Sequence, residues 1–295
     1  MGLLPTTVFL FSSFTYDAFV IALLMLGIAL FVTEYLSEEK IQTKRTMVSI
    51  LAIVVGCFSK AVYIPFLALY WLMPKDKFYS RRQKNLFKAG IFVLLILMFA
   101  SFILPLIGNV TSGAEVGDYR GGDTSQTSQL SMILGYPLTY TGVLLKSLGT
   151  TFASYFIGSK VLANFAYRGI YDGIGYFVVL LTMLFTFVTD FGMTEKIYDA
   201  QMKRKILMMK IWNAVLIFGT ACLVWTALYL DFTPVGSMVI NGVSPRYYLP
   251  LIFPLSLIFI NQKVRCSMKL ENYQSLIAFL MLIGTGISIY CLMLA

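Results

Sequence analysis

The chain has 295 residues, 58% of them apolar and only 13% charged, with a mean hydropathy of +0.79. Soluble domains carry about 25% charged residues, so the composition excludes a soluble globular protein and indicates an all-α, polytopic integral membrane bundle. The absence of histidine excludes His-based triads, His-ligated zinc and His proton relays, and the placement of the formal charge of +9 argues for membrane topology over a nucleic-acid surface.

Residues 2–11 are apolar but too short to span, and Met1 lacks the basic neighbours of a signal peptide. They read as the last turns of a helix that begins ahead of this sequence. Ser12–Asp17 forms a polar turn with capping residues, and Ala18–Val32 is the first full span. Its far end meets Glu34, Glu38, Glu39, Lys40, Lys44 and Arg45. Thr46–Met73 follows, 28 apolar or small residues interrupted by one lysine, Lys60, near the midpoint. A single helix there would place an ammonium near the centre of the lipid, at a cost of about 2.5–3.5 kcal/mol. The alternative is a hairpin of two short helices, Thr46–Cys57 and Ala61–Met73, that meet at Ser59-Lys60. Each arm would be about 20 Å long, against about 30 Å of hydrocarbon.

A basic stretch, 75–88, leads to a span at Ala89–Leu106, and Asn109–Gln129 reads as a polar surface loop. Pro137–Gly158 resembles a helix lying in the membrane interface, with Leu138, Leu145 and Phe152 among its clustered apolar residues. Spans are expected at Tyr171–Val188, Ile211–Leu230, Tyr247–Ile260 and Ser275–Leu294, with a charged loop at Asp190–Lys210 and a short loop at Asp231–Arg246. The total is about eight hydrophobic segments in a single transmembrane domain, 1–295, with an outer loop and interfacial helix over 109–170. Cys57, Cys222, Cys266 and Cys291 form no CxxC or metal-ligand spacing and read as reduced.

The positive-inside rule decides between rod and hairpin. With a hairpin at 46–73, the loops at 34–45, 75–88, 190–210 and 262–271 share one side and hold 17 Lys/Arg against 8 Asp/Glu. The remaining charges are 6 of each sign, so the whole excess is cytoplasmic. A single span would put the basic residues of 75–88 opposite those of 34–45 and break the bias.

The hairpin topology brings Asp17, Lys60 and Arg246 to the outer ends of helices, beneath the 109–130 loop. An acid and two cations beside a lipid-facing shelf describe a site for an anionic lipid with a hydrophilic headgroup. Lys60 is the expected phosphate contact; read without function, it is a lysine snorkelling from a helix end with Ser59 as cap. Arg246, in GVSPRYYLP, is either a bidentate phosphate clamp or an aromatic-belt anchor with Tyr247 and Tyr248. Asp17 is a candidate general base or ligand of a divalent cation, or simply a favourable carboxylate in a first helical turn. Ser59, Tyr247, Asp118 and Arg120 are accessory candidates, the last two equally readable, with Asp123, as loop solvation. No residue set suggests a resident metal.

The segment CFSKAVYIPFLALYWLMP resembles the Leu-x-(Ser/Thr)-Lys-x-x-(hydrophobic)-x-x-Pro stretch of the GT-C superfamily, polytopic glycosyltransferases that use polyprenyl-phosphate sugars. LLPTTVFLFSSFTYDA, QLSMILGYPLTYTGVLLKSL and TPVGSMVINGVSPRYYLPLIFPL are similar to one uncharacterised bacterial family of polysaccharide-cluster membrane proteins within it. The resemblance implies an extracytoplasmic active site, with Lys60 on the donor phosphate and Arg246 near it. It also implies a catalytic acidic residue in a first outer loop ahead of the matched region. The chain is therefore expected to lack the family's N-terminal helix and that loop.

The expected function is transfer of a sugar from a polyprenyl-phosphate donor to a cell-envelope polysaccharide at the bacterial plasma membrane, by the whole enzyme or by its donor-binding remnant. The alternative is a lipid-linked glycan transporter or export component without catalysis. The expected partners are membrane lipid, the lipid-linked sugar and the polysaccharide acceptor, with no nucleic acid.

Overall fold

A computed structural model describes residues 1–112, 123–189, 200–259, 266 and 268–293. The described residues are helical, with no named strand: α1 (Pro5–Ser12), α2 (Asp17–Leu36), α3 (Thr43–Cys57), a 3-10 segment (Ala61–Leu72), α4 (Arg81–Ser112), α5 (Gln126–Gly135) and α6 (Pro137–Phe156). They continue with α7 (Ser159–Leu162), α8 (Ile174–Val188), α9 (Ala200–Phe232), α10 (Leu249–Phe259) and α11 (Leu270–Met293). Among them, four helices are long and apolar enough to cross a membrane: α2, α4 over Arg81–Leu104, α9 and α11. Ala61–Leu72 and α8 are shorter apolar helices.

The hairpin organises the bundle. The chain leaves α3 at Cys57, reverses through Phe58–Lys60 and returns as the 3-10 segment, so no continuous rod runs through 46–73. The Tyr70 hydroxyl reaches back to Ser49 Oγ, a pairing whose midpoint in sequence is the Ser59-Lys60 bond. Pro65 lies inside the returning arm, where it removes a helical N–H donor. Free-standing 3-10 helix rarely exceeds three or four residues, so a run of 12 is imposed by packing. Tyr63, Ile64, Phe66, Leu67, Leu69 and Tyr70 are all fully buried, between α3, α4 and α9. The Trp212 indole on α9 donates to the Ala68 carbonyl at 2.9 Å, tying the arm to the longest helix.

Close approach of α2 and α3 supports the other arm. A Cβ on Gly27 would stand 2.5 Å from Ile53 Cγ1 and 3.0 Å from the Ser49 carbonyl. The missing side chain lets the Ser49 hydroxyl donate to the Gly27 carbonyl at 2.6 Å.

Several helices run further than the sequence predicts. α4 begins at Arg81, taking in Arg81, Arg82, Lys84 and Lys88, and reaches Ser112, so the first part of the expected Asn109–Gln129 loop is helical. Its last part is helical too, as the start of α5. α9 begins at Ala200, so the Lys203-Arg204-Lys205 run is helix and not loop. Arg, Lys and Gln are good helix formers, and a charged helix end needs no apolar periodicity to persist into water. The expected span Tyr247–Ile260 is instead a 3-10 turn, Pro245–Tyr248, followed by α10, whose 11 residues measure about 16 Å. α6 matches the expected interfacial helix in extent, burying Tyr140 and Val143 and exposing Leu138, Leu145 and Phe152.

The two ends of the bundle differ in charge. At one end the Tyr35 hydroxyl donates to the Lys205 carbonyl at 3.1 Å, and the Lys40 ammonium to the Asp76 carbonyl at 2.8 Å. Glu34, buried in the last turn of α2, accepts from the Gln42 N–H at 3.0 Å and pairs with Arg45 at 3.5 Å. Lys77 is 2% exposed and donates to the Ser37 carbonyl and hydroxyl and the Glu39 carbonyl, closing the C-terminus of α2. Burial pushes the Lys77 ammonium below its ordinary pKa, with the Glu34 carboxylate opposing that shift. The opposite end carries Asp17, Lys60 and Arg246.

Candidate functional site

Three separate elements deliver the charged groups. Asp17 opens α2, after the Ser13–Tyr16 turn that follows α1. Lys60 ends the hairpin turn, its own N–H held by the Cys57 carbonyl at 3.0 Å. Arg246 sits on the Pro245–Tyr248 turn, where Pro245 supplies a preset first φ and needs no N–H partner. That turn is anchored from three directions. The Tyr63 hydroxyl donates to the Tyr247 carbonyl at 2.6 Å, the Trp225 indole to the Tyr248 hydroxyl at 2.6 Å, and the Tyr155 hydroxyl to the Val243 carbonyl at 2.9 Å. Tyr248 also packs edge-on against Phe156, with ring centres 4.8 Å apart.

The charges converge on one carboxylate. Lys60 Nζ is bonded to Asp17 Oδ1, and Arg246 Nε lies 3.6 Å from Asp17 Oδ2. The Lys60 ammonium also stands 4.1 Å from the centre of the Tyr247 ring and 5.2 Å from that of Tyr16, within range of a cation–π attraction. Side-chain exposure is 9% for Lys60, 6% for Asp17 and 43% for Arg246, so the cluster opens outward on the arginine side. Lys60 is paired and flanked by two rings. Ser59 is exposed, and Lys60 itself occupies the cap position of the following segment without a side-chain cap bond. Each Asp17 oxygen faces a cation.

Next to the cluster, the α1–α2 turn borders an open surface crevice of about 660 Å³. Phe11, Phe14, Tyr16 and Phe19 line it with Ala18 and Ala22, and Tyr16 is the wall it shares with the charged site. Thr15 Oγ1, also on its lining, is buried without a hydrogen-bond partner. Among the described residues, no group of three or more His, Cys, Asp and Glu has the geometry of a metal site.

Of the residues singled out from sequence, Asp17, Lys60, Arg246 and Tyr247 come together. Asp118 and Arg120 lie outside the described residues, and Asp123 is exposed on the chain leading into α5. Two participants escape a sequence reading. Tyr16 carried a signal in its adjacency to Asp17. Tyr63, inside a run of aromatic and aliphatic residues, had nothing to separate it from core.

The comparisons agree with the membrane architecture. No curated protein and no solved structure matches the chain. The profile of one family does, over residues 1–255, which takes in α1 to most of α10 and the whole charged cluster. The chain belongs to that family, described as predicted membrane protein (DUF2142).

Proposed function

We propose that the Asp17–Lys60–Arg246 cluster receives the phosphate of a polyprenyl-phosphate-linked sugar, and that the protein takes part in passing this sugar to a cell-envelope polysaccharide. The observation that carries the reading is the convergence of two cations from distant parts of the chain on one partly enclosed, ring-walled site. Such a pair suits a phosphate at membrane depth: Arg246 offers a planar fork on the open side and Lys60 a mobile point charge behind it. The aromatic crevice sharing Tyr16 gives the first units of an isoprenoid tail an apolar wall. The distribution of basic residues supports an extracytoplasmic position for the site, because the Lys/Arg-rich starts of α3, α4 and α9 gather at the other end of the bundle.

In a transfer of this kind, the acceptor hydroxyl attacks the anomeric carbon and the bond from that carbon to the phosphate oxygen breaks. Lys60 and Arg246 stabilise the charge that grows on the departing phosphate. The proton of the acceptor hydroxyl passes to a base, and Asp17 Oδ2, which Arg246 Nε approaches only to 3.6 Å, has the lone pairs to take it.

The test is binding of a polyprenyl-phosphate sugar to the full chain in nanodiscs. Lys60→Met should weaken it at least about tenfold, the effect of losing 1.4 kcal/mol or more of a desolvated charge contact. Unchanged binding would remove the phosphate from this cluster.

A further inference from the structure

We infer that the basic end of the bundle seats a lipid of its own, an anionic phospholipid of the leaflet beside it. The headgroup phosphate rests on Arg81, Lys84 and Lys88, and one acyl chain fills the groove that Trp71 forms with α4. This seat is at the opposite end of the molecule from the Asp17–Lys60–Arg246 cluster, and it does not depend on the function proposed for that cluster.

The starting point is one face of α4. Arg81, Lys84 and Lys88 are followed, at spacings of three and four residues, by Phe92, Leu95, Phe99 and Ile103, so all share that face. Its apolar part, together with the Trp71 ring, makes a groove of about 450 Å³ lined by apolar side chains throughout. Leu95 is buried beneath it, while Phe92 and Ile103 are exposed along it. Trp71 stacks on Phe92 with ring centres 6.4 Å apart.

Length and charge together identify the occupant. From Phe92 to Ile103 the helix rises about 16 Å, half of the roughly 30 Å of bilayer hydrocarbon and so the depth of one leaflet. Lys88 stands at the mouth of the groove, where its ammonium donates to the Trp71 carbonyl at 2.9 Å. An ammonium has three N–H donors, so that bond leaves others for a phosphate oxygen. Lys84 lies one turn further from the groove, and Arg81 one turn beyond Lys84. Like charges in a row along one face repel, and at the start of a helix they also oppose its macrodipole. The first turn of α4 contains no acidic residue to offset this. A lipid phosphate among the three cations relieves both costs. Cations scattered through a loop would meet the positive-inside bias equally well, but would not stand in line with a groove one leaflet deep.

The test titrates the full chain, in a non-ionic detergent, with dioleoyl phosphatidylglycerol and with dioleoyl phosphatidylcholine. Bound lipid is counted by native mass spectrometry. The two lipids have the same acyl chains and differ in net charge. The titrations are repeated on Lys60→Met, so that lipid held by the cluster at the other end is not counted. Phosphatidylglycerol is expected to bind at least about tenfold more tightly than phosphatidylcholine, a difference of about 1.4 kcal/mol. Arg81→Gln combined with Lys84→Gln keeps the Lys88–Trp71 bond and should cut that preference below about threefold. Ala100→Trp puts a ring into the groove and should weaken both lipids at least about tenfold while their ratio persists. Glycerol phosphate, a headgroup without a chain, should not compete.

Equal affinity for the two lipids overturns the proposal, as does a preference that the double substitution leaves unchanged. Competition by glycerol phosphate would make the three cations a site for soluble anions. Undiminished binding to the Ala100→Trp protein would take the acyl chain out of the groove. Dimers that form without lipid and are blocked by Ala100→Trp would assign this face to a second copy of the chain. Each of these three results also overturns it.

Discussion

Tyr63 is fully buried three residues beyond Lys60, and its hydroxyl holds the Tyr247 carbonyl of the turn that carries Arg246. Removing that hydroxyl leaves a carbonyl unpaired inside the protein, a loss of about 1–3 kcal/mol. Tyr63→Phe should therefore lower the thermal unfolding midpoint in detergent. It should also weaken lipid-phosphate binding while Lys60 and Arg246 stay in place. A variant with the stability of the parent would show that the turn is fixed by Trp225 and Tyr155 alone. At this scale Lys60 was legible because a lone charge in an apolar run needs a reason. Asp17 and Arg246 were legible as charges beside predicted helix ends. Tyr63 was not, since its partner is a backbone carbonyl that only the folded chain brings within reach. Nothing in the sequence separated Lys77 from the other basic residues of 75–88, yet it is buried against the C-terminus of α2.

The α2–α3 contact shows what elements contribute. Gly27, Ser49 and Tyr70 form a relay from the first span through α3 to the returning arm of the hairpin. Gly27→Leu would drive a side chain into Ile53 and the Ser49 backbone, which are already at contact distance. Overpacking of this kind costs about 1–3 kcal/mol, and the two helices must part to accept it. Loss of thermal stability should therefore be accompanied by weaker lipid-phosphate binding, because Lys60 rides on the hairpin that moves. Ser49→Ala should cost less, as it deletes the relay without adding bulk. Counting charges on each side was enough to predict a fold-back at 46–73. It gave no hint of a 12-residue 3-10 arm, since Pro65 was visible but the packing that stabilises such a run was not. The same blindness to context shortened α4 and α9, whose charged first turns stay helical without an apolar pattern.

Across the whole molecule, charge is separated from one end to the other. The Glu34–Arg45, Lys40–Asp76 and Tyr35–Lys205 contacts mark one end, and the Asp17–Lys60–Arg246 cluster marks the other. Single cysteines in a background free of the native four report which end faces out of the cell. Ser59→Cys, beside the cluster, should react with a membrane-impermeant maleimide in intact cells. Tyr79→Cys, at a position 77% exposed in the basic end, should react only after permeabilisation. The reverse pattern would turn the molecule over and place the cluster in the cytosol. Glycine performs its part of the assembly at this scale as well: a Cβ on Gly175 would meet the Gly284 carbonyl at 2.5 Å, so the close seam between α8 and α11 depends on its absence.

The returning arm of the hairpin has a mechanical consequence. A 3-10 helix rises about 2.0 Å per residue and an α-helix about 1.5 Å, so these 12 residues are about 6 Å longer than the same sequence wound as α. Six ångströms exceeds the reach of any ion pair. Winding pitch is thus the ruler that sets the height of the Lys60 amine, and a tighter coil around Pro65 would withdraw it from both the carboxylate and the guanidinium it now meets.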